Sequence, residues 1–193
     1  MVRKDAEMKQ LLQAAVELQA ILQAEQMPFC FIGGIALARW GEPRLTRDLD
    51  ITLLAGFGDE ERVITRLLEL FPSRIANPLP FALEQRVLLL TASGSVPVDV
   101  ALGGLSFEEE CVARASIYAY TNDYAIVTCS AEDLVIMKAF ASRPQDWIDV
   151  EGVLARQKDA LDWSYIMDRL TVLAQMKEDP NILSRLNSLR YNT

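Results

Sequence analysis

FIGGIALARWGEPRLTRDLDITL, residues 31–53, holds a Gly33-Gly34 pair and two acids, Asp48 and Asp50, that stand one residue apart. PFCFIGG reads as a short buried strand running into a glycine turn, and IALARW as the first turns of a helix that Gly41 and Pro43 stop. DLDITLL then alternates acid and aliphatic residues, as a strand does when one face is turned to a core. Side chains alternate along a strand, so Asp48 and Asp50 share one side, their Cα atoms about 6.5–7 Å apart, while Leu49, Ile51 and Leu53 share the other. Two unpaired anions so close repel one another unless a cation or a basic side chain compensates them. On this spacing alone the commoner explanation is a solvated strand face whose acids pair with Arg44 and Arg47; the other is a cation site.

Two features shift the balance toward chemistry. A glycine pair between a strand and a helix start lets backbone N–H groups approach a phosphate at the positive end of the helix dipole, although an ordinary tight turn has the same sequence. Asp99 lies inside the apolar stretch VPVDVAL, where a charge is costly unless it is paired or binds a metal. Strand pairing that brought Asp99 beside Asp48 and Asp50 would complete a site for one or two hard cations.

The rest of the chain frames these residues. Apolar positions in residues 5–26 recur at helical intervals, and Pro28 ends that helix. DEERVITRLLELF is a second helix, residues 73–80 a loop, and RVLLLT and VPVDVAL a hairpin around ASGS. LSFEEECVARA is helical with Ser106 as its N-cap, and TNDYAIVT is loop leading into a short strand. Beyond Ser130 the pattern is wholly helical: SAEDLVIMKAFASR, capped by Ser130 and Asp133, then PQDWIDVEGVLARQ, DWSYIMDRLTVLAQM and PNILSRLNSLR. The expected fold is of the α/β (α+β) class: a small mixed sheet with an N-terminal helix over residues 1–129, and a C-terminal helical bundle over residues 130–193.

Composition narrows the chemistry. The 193 residues contain no histidine, which excludes Ser-His-Asp and Cys-His catalysis and leaves carboxylates, lysines and backbone amides to carry a reaction. Hard, oxygen-bound cations become the default cofactors. Cys30, Cys111 and Cys129 show no zinc or disulfide spacing and read as buried thiols. A net charge of -8 argues against a broad nucleic-acid-coating surface. No stretch is apolar enough for a membrane span, and residues 1–23 lack the apolar core of a signal peptide, so a cytoplasmic protein is expected.

Gly-Gly at a strand-to-helix turn, Asp-x-Asp on the next strand and a lone acid on a later strand together resemble the polymerase-β-type nucleotidyltransferase superfamily. Within it, FIGGIALARWGEPRLTRDLDITL and DLVIMKAFASRPQDWIDV are similar to the AbiEii toxin-like group. The resemblance implies a metal-dependent enzyme that moves a nucleoside monophosphate from a nucleoside triphosphate to an acceptor, which could be an RNA such as a tRNA end, a protein or a small molecule. It implies Mg2+ or Mn2+ bound by Asp48, Asp50 and Asp99, with Asp99 also acting as base. Gly33 and Gly34 would cradle the triphosphate, Lys138 would neutralise phosphate charge, and Asp146 matches the acid that follows that lysine. Arg47, with Arg39 and Arg44, would line the entrance. It further implies the toxin of a toxin-antitoxin or phage-defence pair, with an antitoxin protein as partner.

Ile35 departs from the pattern, because many superfamily members carry a serine there whose hydroxyl joins the phosphate site. A catalytically inactive nucleotide- or partner-binding module of the same fold is the alternative, and a metal-dependent phosphodiesterase with water as acceptor is a third.

Overall fold

The periodic N-terminal stretch forms a long helix, α1 (Val2–Ala24), and the chain then runs through β1 (Phe29–Phe31), α2 (Gly33–Trp40), β2 (Leu49–Leu54), α3 (Glu60–Leu70), α4 (Pro78–Gln85), β3 (Val87–Thr91) and β4 (Pro97–Gly103). It continues through α5 (Ser106–Arg114), β5 (Ser116–Ala119), β6 (Ala125–Thr128), α6 (Ala131–Ala141), α7 (Pro144–Gln157), α8 (Trp163–Met176) and α9 (Asn181–Asn192). This computed structural model describes residues 2–192. The chain divides into two units, one made of the residues up to Ile35 together with Leu45–Cys129, the other of Ala36–Arg44 together with the residues from Ser130 onward.

The first unit contains a six-stranded mixed sheet in the order β3-β4-β2-β1-β6-β5. β2 and β4 are parallel, as are β1 and β6, while β1–β2, β3–β4 and β5–β6 are antiparallel. The period of two decides what each face carries. Leu49, Ile51 and Leu53 of β2 align with Val98, Val100 and Leu102 of β4 and are buried with Leu11, Leu18 and Leu22 of α1 and Ile64 and Leu67 of α3. Each fully buried aliphatic side chain contributes about 1.5–3 kcal/mol, so this face holds the sheet to α1 and α3.

On the opposite face α5 packs against β1 and β2, with Cys111 Sγ 3.8 Å from Cys30 Sγ. Glu108 of α5 lies so close to Gly103 that a Cβ there would stand 3.3 Å from the Glu108 Cβ and 3.2 Å from the Thr52 methyl. α5 therefore covers the Thr52 end of this face, and Asp50 and Asp99 at the other end stay partly exposed.

In the second unit α6 packs on α7 and α8, and α9 on α8 and α6. Val135, Ile136, Trp147, Val150, Ile166, Leu170 and Leu186 form its interior. The Ser130 hydroxyl caps α6 by accepting from the Asp133 N–H at 3.1 Å. Residues 36–44 join this unit through α7: Arg156 donates to the Gly41 carbonyl at 2.6 Å and Gln157 to the Trp40 carbonyl at 2.7 Å. Gly41 is required here, because a Cβ would come within 2.9 Å of the Val153 methyl.

Four local expectations need correction. Residues 78–85, partly assigned to loop, are the helix α4: Pro78 and Pro80 fall in its first turn, where a missing N–H has no intrahelical partner to lose. β5 was not anticipated, since its four residues are all exposed and show no alternation of burial. Ser106 is the first residue of α5, preceded by Leu105 at the cap position, and the Glu108 carboxylate accepts from the Gly104 and Leu105 N–H groups in place of a serine cap. Gly33 and Gly34 are the opening residues of α2, with no separate turn before it. Among the described residues no helix is long and apolar enough to cross a membrane.

Candidate active site

The parallel register of β2 and β4 pairs Asp50 with Asp99. Their Cα atoms are therefore separated by one strand spacing, about 4.8 Å, with both side chains on the face opposite the aliphatic core. Asp48 is the last residue before β2 and is exposed. It is oriented by Thr46, a buried threonine whose hydroxyl donates to the Asp48 Oδ1 at 2.8 Å.

The glycine pair is what admits this strand to the start of α2. A Cβ on Gly33 would stand 1.9 Å from the Asp50 Oδ2, and one on Gly34 would stand 2.5 Å from the Thr46 Oγ1. Gly33 also has φ +60°, which L side chains rarely adopt. Backbone N–H groups of a helix's first turn have no intrahelical acceptor and carry the positive end of the helix dipole. Asp50 is thereby held against the first residue of α2.

Asp99 has a partner that the sequence did not reveal. The Arg74 guanidinium forms an ion pair with the Asp99 Oδ1, and the same nitrogen lies 3.4 Å from the Val98 carbonyl. Arg74 comes from the segment expected to be loop. That segment adds itself to the edge of β3: the Arg74 N–H donates to the Leu89 carbonyl at 3.0 Å, and the Thr91 N–H to the Pro72 carbonyl at 2.9 Å. Leu89 is the register partner of Asp99. Arg74, Leu89, Asp99 and Asp50 thus follow one another across the sheet.

Lys138 and Asp146 belong to the second unit, where both are buried. The Lys138 Nζ lies 3.0 Å from the Asp146 Oδ1 and 2.7 Å from the Asp149 Oδ2. Arg143 bonds Asp146 at 2.7 Å, and Arg44 bonds Asp149 at 3.1 Å. Burial pushes both carboxyls up, but hydrogen bonds from Lys138, with Arg143 for Asp146 and Arg44 for Asp149, outweigh it and hold each below the ordinary aspartate value. Asp149 was also missed, although its place one helical turn after Asp146 is a signal that i,i+3 spacing offers. Arg39 stacks on the Trp40 ring at 3.9 Å, and Arg47 is exposed.

The donors of the first unit suit a hard divalent cation. Asp48 and Asp50 offer carboxylate oxygens without nitrogen or sulfur ligands, which is the preference of Mg2+ and Mn2+. Among the described residues no three acidic or thiol side chains converge into a metal cage.

A sequence profile of the family described as "Nucleotidyl transferase AbiEii toxin, Type IV TA system" matches residues 18–176. No curated protein sequence matches the chain. Among solved structures, an antigenic nucleotidyltransferase-like protein from Paracoccidioides brasiliensis shares 16% identity at a TM-score of 0.52, with 93% of this chain and 93% of that one covered. The lincosamide antibiotic adenylyltransferase LnuA, in its lincomycin-bound form, shares 14% identity at a TM-score of 0.50, with 73% of this chain and 94% of that one covered. These two likenesses concern the fold.

Proposed function

Since the chain belongs to the AbiEii family of nucleotidyl transferases, we propose that it moves a nucleoside monophosphate from a nucleoside triphosphate to an acceptor hydroxyl on an RNA, a protein or a small molecule. The observation that carries this reading is the Asp50–Asp99 register with Asp48 beside it, at the glycine-opened start of α2. Asp48 and Asp50 are the residues that would hold Mg2+ or Mn2+, with Asp99 beside Asp50 as the third carboxylate of the site. When bound there, the cation would supply charge neutralisation for the triphosphate in an in-line displacement. The Gly33 and Gly34 N–H groups donate to phosphate oxygens, replacing the hydroxyl that Ile35 does not supply. The acceptor oxygen bonds to the α-phosphorus as the bond to the β-phosphate oxygen breaks, the acceptor proton passes to Asp99, and pyrophosphate leaves.

Lys138 and Asp146 are further candidates for nucleotide binding, in a cluster of the second unit where Lys138, Arg143 and Arg44 bring three positive charges to the two carboxylates of Asp146 and Asp149. Arg47, exposed beside Asp48, faces the entering ligand. Growth inhibition, a cognate antitoxin and a place in the cytoplasm, where the triphosphates are, go with the toxin reading.

The test is incorporation of label from each α-labelled ribonucleoside triphosphate into total tRNA, cellular protein and small hydroxyl compounds, with Asp48→Asn and Asp50→Asn as controls. Label that appears with the wild-type chain and disappears with both variants supports transfer. A second reading, an inactive nucleotide-binding module, is favoured by Ile35, which is buried and brings no hydroxyl to the phosphate site. Nucleotide binding without label in any acceptor selects that reading.

A further inference from the structure

We propose that Arg74 occupies the place of a second cation, so that the chain operates with a single divalent ion on Asp48 and Asp50. This rests on the nucleotidyl-transfer reading and sharpens its metal count. Three observations lead to it. The Arg74 guanidinium is paired with the Asp99 carboxylate, the one acid that would otherwise complete a second site between β2 and β4. Its placement is built into the sheet edge: residues 72–74 bond to β3 through the backbone, Ser73 bridges to Leu90, and the Ser73 hydroxyl donates to the Ile75 carbonyl at 2.9 Å. Leu89 separates the Arg74 backbone from Asp99, so the side chain spans one strand to reach its partner.

A guanidinium has a fixed fork of donors and keeps its charge at every working pH. A charge that cannot dissociate differs from a metal ion that must be recruited. Held on the sheet edge, it supplies a single positive charge beside Asp99 whether or not nucleotide is bound. Arg74 is accordingly a positioning residue: it fixes the carboxylate that faces Asp50.

The experiment counts Mn2+ bound per chain by electron paramagnetic resonance. It uses the full-length protein saturated in turn with the α,β-methylene analogue of each ribonucleoside triphosphate. The wild-type chain is expected to hold one Mn2+, as is Arg74→Lys, which keeps the charge. Arg74→Gln is expected to hold two, falling back to one in the Arg74→Gln/Asp99→Asn double variant. Two ions on the wild-type chain overturn the proposal, as does one ion on Arg74→Gln. If the wild-type count is unchanged by Asp48→Asn, the nucleotidyl-transfer reading itself fails. That result is distinct from a wrong count, because a wrong count still depends on Asp48.

Discussion

Asp50 and Asp99 are direct register partners on the parallel strands β2 and β4, so two carboxylates stand one strand apart on the face that does not carry the aliphatic core. Neutralising either leaves shape almost unchanged and removes charge where a triphosphate-bound cation would sit. Asp50→Asn is expected to lower nucleotidyl transfer about 100-fold or more, the cost of losing one preorganised electrostatic contact in a catalytic site. Far-UV circular dichroism is expected to be unaltered. Transfer at the wild-type rate would remove Asp50 from the chemistry.

Gly33 carries a sharper expectation, because Gly56 supplies its control. Both have positive φ, +60° and +71°, yet a Cβ on Gly56 would meet nothing within 4 Å while one on Gly33 would collide with the Asp50 carboxylate. Gly56→Ala should therefore cost only the backbone strain, about 1–2 kcal/mol in urea unfolding, with activity retained. Gly33→Ala should cost more than that and abolish transfer, since Asp50 must move aside. Equal effects at the two positions would contradict this account of the glycine pair.

Lys138 separates structure from ligand binding. Replacing it with methionine removes one cation from Asp146 and Asp149, which keep Arg143 and Arg44, so the loss of stability should stay below the about 3–5 kcal/mol of a fully broken buried pair. If Lys138 also meets the nucleotide, the dissociation constant of Lys138→Met should rise by about tenfold or more, measured where circular dichroism shows the variant folded. Lower stability with unchanged affinity would confine the residue to its ion-pair cluster.

Acid should test the same cluster in the opposite sense. Asp146 and Asp149 have folded-state pKa values below their unfolded ones, so their contribution is fully present above the ordinary aspartate value of about 4 and is lost as pH falls through the lower folded values. Urea midpoints should be flat in this respect from pH 7 to pH 5 and fall below pH 4. The fall should be shallower in Asp146→Asn. An identical slope would show that this carboxyl does not govern acid stability.

How far the sequence carried these conclusions depends on the range of each interaction. β2 is legible because alternation and aliphatic content are local, and Asp50 comes with it, while Asp48, read as part of the strand, stands one residue before its start. Asp99 was legible as a charge in an apolar strand, but its register with Asp50 depends on a parallel pairing that no local pattern encodes. Arg74 gave no signal, since its partner lies across β3 and its segment joins the sheet edge through a few backbone bonds. Residues 36–44 precede β2 in the chain yet pack with α7, for which Gly41 and its contact with Val153 are the reason. The sequence marks the glycine pair as backbone free to approach a phosphate; the structure adds that it makes room for Asp50 and Thr46.

Transfer to an acceptor is separated from hydrolysis by following pyrophosphate release from the wild-type chain with and without an acceptor pool of total cellular RNA, protein and small hydroxyl compounds. Release is expected to require Mg2+ or Mn2+ and the pool, to be matched by equal incorporation of the α-phosphate, and to be absent in Asp48→Asn. Release of pyrophosphate and free monophosphate at the same rate without the pool would contradict transfer, because water would then be the acceptor.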